Sequence, residues 1–247
     1  MCLQATDVKR ICLWSGPRNV STALMYSFAQ RSDTTIVDEP LYAAYLVRTG
    51  FRHPGRDVVI ASQQHDAAAV VSDVILGDCA TDVLFVKSMA HHLDGIDSAF
   101  LGSTINVILT RDPEEMLPSL VNQIPEPTLF DTALKHQVDM LNALCDAGHC
   151  PPVLDSRLLL LDPEKVLRKL CERLGIPFVA SMLEWPAGPR PEDGAWAPFW
   201  YHSVHTSTTF ARYERKSAAF PERLRPLLAE CKPYYDILLD YAIRPTE

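Results

Sequence analysis

The sequence predicts an α/β fold, a parallel and doubly wound sheet with helices on both faces in a three-layer sandwich. Two observations carry that expectation. Short apolar runs at 11–14, 34–37, 82–87 and 104–110 alternate with stretches of helical periodicity, the pattern of strands joined by helical crossovers. Several of those runs also stop abruptly at polar or charged residues, as strands do where they reach the carboxyl edge of a parallel sheet and sites form.

Taken in order, 11–14 reads as a short buried strand that breaks into the turn-forming stretch Ser15-Gly16-Pro17-Arg18-Asn19-Val20. Ser21 and Thr22 open a helix with Leu24 and Phe28 on its apolar face. A second strand, 34–37, ends in Asp38-Glu39-Pro40. Helices are expected over 40–49 and 62–76, separated by a loop around His53-Pro54-Gly55-Arg56. The third strand, 82–87, leads into Ser88-Met89-Ala90-His91-His92 and a helix. The fourth, 104–110, is the clearest in the chain. Arg111-Asp112-Pro113-Glu114-Glu115 follows it, with proline at a first helical position and acids in the first turn, and Pro118 is expected to kink that helix.

A proline-rich loop at 123–128 precedes a long amphipathic helix expected over 130–147. Short apolar runs follow at 153–154 and 158–161. Asp162-Pro163-Glu164 then starts a helix that Gly175 terminates. From 185 to 200 the chain is rich in Pro, Trp and Gly and is expected to be irregular. A segment of that length is commonly a lid or substrate wall, and 185–210 is assigned that role. A final helix is expected over 221–241. The whole chain, 1–247, reads as one domain without internal repeats.

The composition is that of a globular protein. No apolar run approaches a membrane span and the first ten residues lack the apolar core of a signal peptide, so a cytoplasmic protein with no membrane partner is expected. A net charge of −8 argues against a general nucleic-acid binder, without excluding a local basic pocket. Cys2, Cys12, Cys79, Cys145, Cys150, Cys171 and Cys231 are scattered with no CxxC pair; their odd count and the expected compartment argue against a disulfide framework, and no zinc spacing is visible. No metal site is expected, His91 and His92 being adjacent rather than one helical turn apart.

The stretch 15–22 carries the chemistry. A strand, a polar loop and a hydroxyl-led helix start present free N–H groups and the positive end of a helix dipole to a phosphate or sulfate. Arg18 adds a charged fork, and Ser21 and Thr22 add hydroxyl donors. The loop lacks the Gly-Lys pair of a Walker A motif. Arg111 at a strand end and Ser119 two helical turns on can face the same sheet edge and hold a second phosphate. The plainer readings are an N-cap at Ser21-Thr22 and a solvated Arg111 beside a cap at Asp112.

Together these sites resemble the sulfotransferase family that uses 3′-phosphoadenosine 5′-phosphosulfate (PAPS). Its phosphosulfate loop, roughly P-[KR]-S-G-[ST]-T, is matched by Pro17-Arg18-Asn19-Val20-Ser21-Thr22. Its 3′-phosphate motif, roughly R-[DN]-P-x-[DE]-x-x-x-S, is matched throughout from Arg111 to Ser119. Leu161-Asp162-Pro163 through Leu174-Gly175-Ile176-Pro177 is similar to a third family segment. Short bacterial sulfotransferase-like proteins also carry K-x-M-A-x-H and S-T-x-F, which read here as Lys87 to His92 and as Ser207-Thr208-Thr209-Phe210. Asn19-Val20 departs from the usual Ser-Gly, and only Arg212, Arg215 and Lys216 partly replace the basic segment near the C-terminus of cytosolic members.

The resemblance implies a P-loop-like fold, PAPS as co-substrate and a hydroxyl or amine of a small molecule as acceptor, with no metal required. It assigns Pro17, Arg18, Asn19, Val20, Ser21, Thr22, Arg111, Ser119, Ser207 and Thr208 to the nucleotide and Arg18 to charge stabilisation in the reaction. The base remains open between Glu39, His91 and His92, with Glu39 favoured and His91 next, because Met89 stands where cytosolic members carry histidine. Lys87 is either a ligand or a structural ion-pair partner. Trp185, Trp196, Phe199, Trp200 and Tyr201 either line an acceptor pocket or anchor their own loop. The alternatives are a nucleotide-binding module with altered chemistry, favoured by Asn19-Val20, and a P-loop kinase-like phosphotransferase, which the missing Walker lysine disfavours.

Overall fold

The computed structural model describes residues 8–214 and 218–246; Cys2, Arg215 and Lys216 lie outside them. Five parallel strands, β1 (Lys9–Ser15), β2 (Thr34–Asp38), β3 (Val83–Met89), β4 (Ile105–Thr110) and β5 (Val153–Asp155), form one sheet in the order β2-β3-β1-β4-β5. The expected fold class is the observed one. Strand periodicity explains the two-sided core. Ile11, Leu13, Val83, Phe85, Val107 and Leu109 project to one face, and Cys12, Trp14, Leu84, Val86 and Ile108 to the other. Strands apolar on both faces must be covered on both, which is why they read as continuous hydrophobic runs.

The first face is covered by α1 (Ser21–Ala29) and, further along the chain, by the helix Pro163–Leu174. Next come α2 (Tyr42–Thr49), α3 (Arg56–Ser62) and α4 (Ala67–Val70), the last passing into a wider π-turn, Val71–Ile75. The helix expected over 62–76 is therefore shorter. Asp66 caps α4 through Ala68 and Ala69, and the chain before it stays extended at Gln63. The segment after β3 is a single 3₁₀ turn, Ala90–Leu93. After β4 come α5 (Pro113–Leu120), α6 (Leu129–Thr132) and α7 (Leu134–Asp146). The helix expected over 130–147 is thus two helices. The break is Ala133, whose φ of 62° interrupts the helical path.

Beyond β5 lie α8 (Ser156–Leu161) and α9 (Pro163–Leu174), the latter capped by Asp162 and ended by Gly175 at φ 64°. The segment expected to be irregular contains two single-turn helices, α10 (Ala197–Trp200) and α11 (His202–His205). The closing helix, α12 (Arg225–Asp240), covers the second sheet face beside α7 through Cys231, Tyr235 and Leu238. Cys145 and Cys150 are disulfide-bonded, a single local bridge that the reading against a disulfide framework did not anticipate. The bridge closes only a short turn after α7, which sequence spacing did not signal. No helix among the described residues is long and apolar enough to cross a membrane.

Candidate functional site

The carboxyl ends of β1, β2, β3 and β4 border one cavity of about 530 Å³. Residues 16–23 form its floor. The turn after β1 is fixed from below: Gly16 N–H donates to the Leu109 carbonyl (3.3 Å), and buried Gln137 of α7 donates to the carbonyls of Trp14 (3.1 Å) and Leu109 (2.8 Å). A side chain at Gly16 would press on the Thr132 carbonyl, 3.1 Å from its Cβ, so only glycine fits this approach comfortably. The Asn19 side chain ties the loop at both ends, its Nδ2 donating to Leu109 O (3.2 Å) and its Oδ1 accepting from Ser21 N–H (2.9 Å). No side chain caps α1 through Val20, and Ser21, Thr22 and Ala23 border the cavity. With the Ser21 N–H held by Asn19, the N–H groups of Thr22 and Ala23 are the ones placed to meet an anion.

The second motif closes onto the first. Arg18 Nε donates to Ser119 Oγ (3.0 Å), and Arg111 Nη1 donates to the Arg18 carbonyl (2.7 Å), joining residues 93 apart in sequence. Arg111 also pairs with Glu115 at 3.4 Å, while its Nε is buried without a partner. Burial and the neighbouring Arg111 cation push the Arg18 guanidinium below its usual range. Two guanidiniums share this corner with one carboxylate. Pro17, Val20 and Ser207 border the cavity as well, but Thr208 lies instead on a shallow depression with Glu184, Trp185 and Pro186. Arg212 is exposed and away from the cavity.

Across the cavity stands a buried ionic cluster. Asp38 and Lys87 are register partners on β2 and β3, and Glu39 N–H donates to the Lys87 carbonyl (2.7 Å). The Lys87 ammonium donates to Asp38 Oδ1 (3.0 Å), to Glu39 Oε1 in a shorter contact, and to the Tyr201 hydroxyl (2.6 Å). Tyr201 in turn donates to Asp38 Oδ2 (2.6 Å) and accepts from Trp196 Nε1 (3.0 Å). Burial drives both carboxyls above their usual range against the pull of Lys87, whose charge the same carboxylates favour. One ammonium balances one carboxylate. Asp38 also accepts from Tyr201 and, more weakly, from the Gly194 N–H (3.4 Å), whereas Glu39 has Lys87 alone and borders the cavity. Fewer donors therefore hold the charged form of Glu39 than that of Asp38.

His91 and His92 border the cavity inside an aromatic cage. His92 stacks on Tyr42 at 4.9 Å and His91 meets Tyr45 edge-on at 5.0 Å. Burial lowers the His91 imidazole to about 3 and His92 well below its usual value. Met89 borders the cavity and accepts from the Ser15 hydroxyl through its sulfur (3.2 Å). Asp38 and the Tyr201 hydroxyl were not singled out from the sequence as partners of Glu39; their only signal was an Asp-Glu pair at a strand end and a tyrosine in an aromatic loop. Among the described residues no cluster of His, Cys, Asp or Glu suits a metal ion.

Arg18 and Glu39 share a further property. Among the described residues only three non-glycines have positive φ: Arg18 (54°), Glu39 (39°) and Ala133 (62°). Strain of this kind persists where surrounding structure over-determines it, and it concentrates at sites.

The cavity and fold can be set beside known proteins. Residues 9–242 match the sequence pattern described as the sulfotransferase domain. Two Arabidopsis thaliana proteins, branched-chain-amino-acid aminotransferase-like protein 1 and protein 2, are 44% and 42% identical over 226 residues, which is 91% of this chain. The match spans 40% of each relative's length. Among solved structures, a sulfotransferase domain from the curacin biosynthetic pathway superposes with a TM-score of 0.55 at 16% identity, covering 92% of this chain and 99% of that one. A sulfotransferase from Alicyclobacillus acidocaldarius superposes at 0.50 and 14% identity, covering 96% and 97%. These likenesses concern the fold, which is the P-loop-like one. With the domain pattern running through nearly all of the described residues, the chain belongs to the sulfotransferase-domain family.

Proposed function

We propose that the protein transfers the sulfuryl group of PAPS to a hydroxyl or amine of a small-molecule acceptor. The observation that carries this reading is the junction of Arg18, Arg111 and Ser119: two motifs far apart in sequence supply paired guanidiniums and a hydroxyl beside the start of α1. Such a corner favours a ligand with several anionic groups. On this assignment Arg111 and Ser119 hold the 3′-phosphate, and residues 17–22 hold the 5′-phosphosulfate. Ser207 borders the same cavity, while Thr208 does not.

In the reaction the acceptor oxygen or nitrogen attacks sulfur as the bond from sulfur to the bridging phosphate oxygen breaks. Negative charge develops on that bridging oxygen, where Arg18 and the first-turn N–H groups of α1 stabilise it. The acceptor proton passes to the Glu39 carboxylate, and 3′,5′-ADP leaves. His91 is the weaker candidate, since an imidazole titrating near 3 accepts a proton poorly at neutral pH. Lys87 serves Glu39 rather than the nucleotide, all three of its ammonium hydrogens being engaged.

The aminotransferase-like wording belongs to relatives of which most lies outside the match. It does not bear on this cavity. The test is calorimetric titration with 3′,5′-ADP. Micromolar binding by the unmodified protein, lost in Arg111→Ala, supports the assignment. No binding by the unmodified protein overturns it.

A further inference from the structure

Beyond Glu39 the cavity opens into a chamber bordered by Tyr42, His53, His91, His92, Trp196 and Trp200. Its charge is one-sided. The three imidazoles are neutral at physiological pH, since burial lowers all of them. Among the described residues, the cations bordering the cavity are Arg18, Arg111 and Lys87. The two arginines belong to the nucleotide corner, and Lys87 is consumed by Asp38, Glu39 and Tyr201. Asp38, Glu39 and Lys87 together carry one surplus negative charge when both carboxyls are ionised.

A second carboxylate, Asp131, borders the same cavity near His53 and Tyr45, whose titration it influences. Among the described residues it accepts only from the Thr128 N–H and hydroxyl (both 2.7 Å), the capping box of α6, and pairs with no cation. The outlying arginines are engaged with other acids, Arg48 with Asp94 at 2.8 Å and Arg56 with Asp57 at 3.3 Å, while Arg52 and Arg56 border a separate depression beyond His53.

An independent feature points to a ligand. Among the described residues His91 Nδ1 and His92 Nδ1, in residues only 5% and 1% exposed, are buried with no hydrogen-bond partner. Buried polar atoms are normally satisfied. A neutral imidazole nitrogen can accept from an N–H or O–H donor, aromatic faces attract cations, and the two carboxylates add to that attraction.

We propose that the acceptor is a small aromatic amino alcohol or aminophenol: its ring lies among these aromatic walls, its protonated amine is held by Asp131 and the ring faces, and its hydroxyl meets Glu39. Acceptors carrying a carboxylate are rejected. The assignment rests on the sulfuryl-transfer reading for the reaction but not for the binding preference.

Three probes sharing one phenol ring separate the charge: tyramine, 4-ethylphenol and 4-hydroxyphenylacetate. Binding is measured by calorimetry on the free protein and on the protein saturated with 3′,5′-ADP. Turnover with PAPS is measured alongside. The expected order is tyramine above 4-ethylphenol by about tenfold, with 4-hydroxyphenylacetate weakest. Asp131→Asn should compress the ratio of tyramine to 4-ethylphenol. Equal or tighter binding of the carboxylate overturns the assignment and shifts attention to Arg52 and Arg56. Failure of tyramine to bind at millimolar concentration overturns it too. The expected order in a protein that does not bind 3′,5′-ADP would retain this chamber assignment and remove the sulfuryl-transfer reading.

Discussion

Replacing Lys87 by Met removes the ammonium between Asp38 and Glu39 while keeping an unbranched apolar stem. The side chains of Lys87, Asp38 and Glu39 are 2%, 1% and 9% exposed, so water cannot take over the lost contact. At the 3.0 Å separation of Lys87 and Asp38, with an effective dielectric constant of about 20, the Coulomb attraction is about 5 kcal/mol. Desolvation of the ions offsets part of that in the intact cluster, but deleting one partner leaves the other charges buried, a loss of about 3–5 kcal/mol. The expected drop in melting temperature is roughly 10 °C for a chain of this size.

The pH dependence fixes the cause. Burial already raises both carboxyls, and without Lys87 the opposing pull disappears. A carboxyl whose folded pKa lies above its unfolded value costs little where both states are protonated, and its cost grows as pH rises towards the folded pKa. Urea unfolding should therefore show a smaller penalty at about pH 5 than at about pH 8. Adding Glu39→Gln to Lys87→Met should recover a large part of the loss at the higher pH. A penalty below about 1 kcal/mol, the scale of an exposed ion pair, or one equal at both pH values, would refute the reasoning.

Glu39→Gln should lower kcat by about 10²–10⁴-fold with 3′,5′-ADP affinity nearly unchanged, read from steady-state turnover beside calorimetry. In the unmodified enzyme, activity should fall on the acid side through a pKa above the ordinary glutamate value of 4.5, because burial raises Glu39 and protonation removes the base; a pH–rate profile checks this. Ser119→Ala should weaken 3′,5′-ADP by about tenfold, the worth of one hydrogen bond to a charged group, measured by the same titration. Leu167→Ala, at a fully buried position of α9 against the sheet, should cost about 2–5 kcal/mol in urea unfolding.

The fold was legible because its signals are local. Apolar runs that stop at polar residues mark β1 to β4, and Asp112-Pro113 and Asp162-Pro163 mark helix starts that the structure places at the same positions. The break between α6 and α7 was not legible, since alanine at positive φ leaves no trace in an otherwise helical pattern. That Arg18 meets Arg111 and Ser119 could be anticipated because each half of the corner is a short contiguous motif. The ionic cluster around Glu39 could not, because Tyr201 reaches Lys87 across 114 residues and Asp38 across 163. No periodicity encodes such a contact. Its residues come together because α10 and Trp196 pack against α2, forming a small core of their own above the edge of the sheet.

The altered loop bears on whether chemistry is retained. Asn19-Val20 occupies the place of a residue pair whose glycine can take a left-handed turn, and Val20 sits at φ −95° instead. The left-handed residue is Arg18. For a non-glycine that conformation costs about 1–2 kcal/mol, and two bonds with the second motif hold it, Arg111 donating to its carbonyl and its own Nε donating to Ser119 Oγ. Hydrogen bonds involving a charged group contribute about 1.5–3 kcal/mol each, enough to outweigh the strain. Glu39 is held similarly: its N–H is bonded to Lys87, and its carbonyl accepts from Tyr42 N–H (3.0 Å) and from Gln63 (3.1 Å). A module that only bound a nucleotide would have a use for the first constraint and none for the second. Two strained residues fixed on the same cavity, one cationic and one with raised proton affinity, favour a site built for group transfer over one reduced to binding.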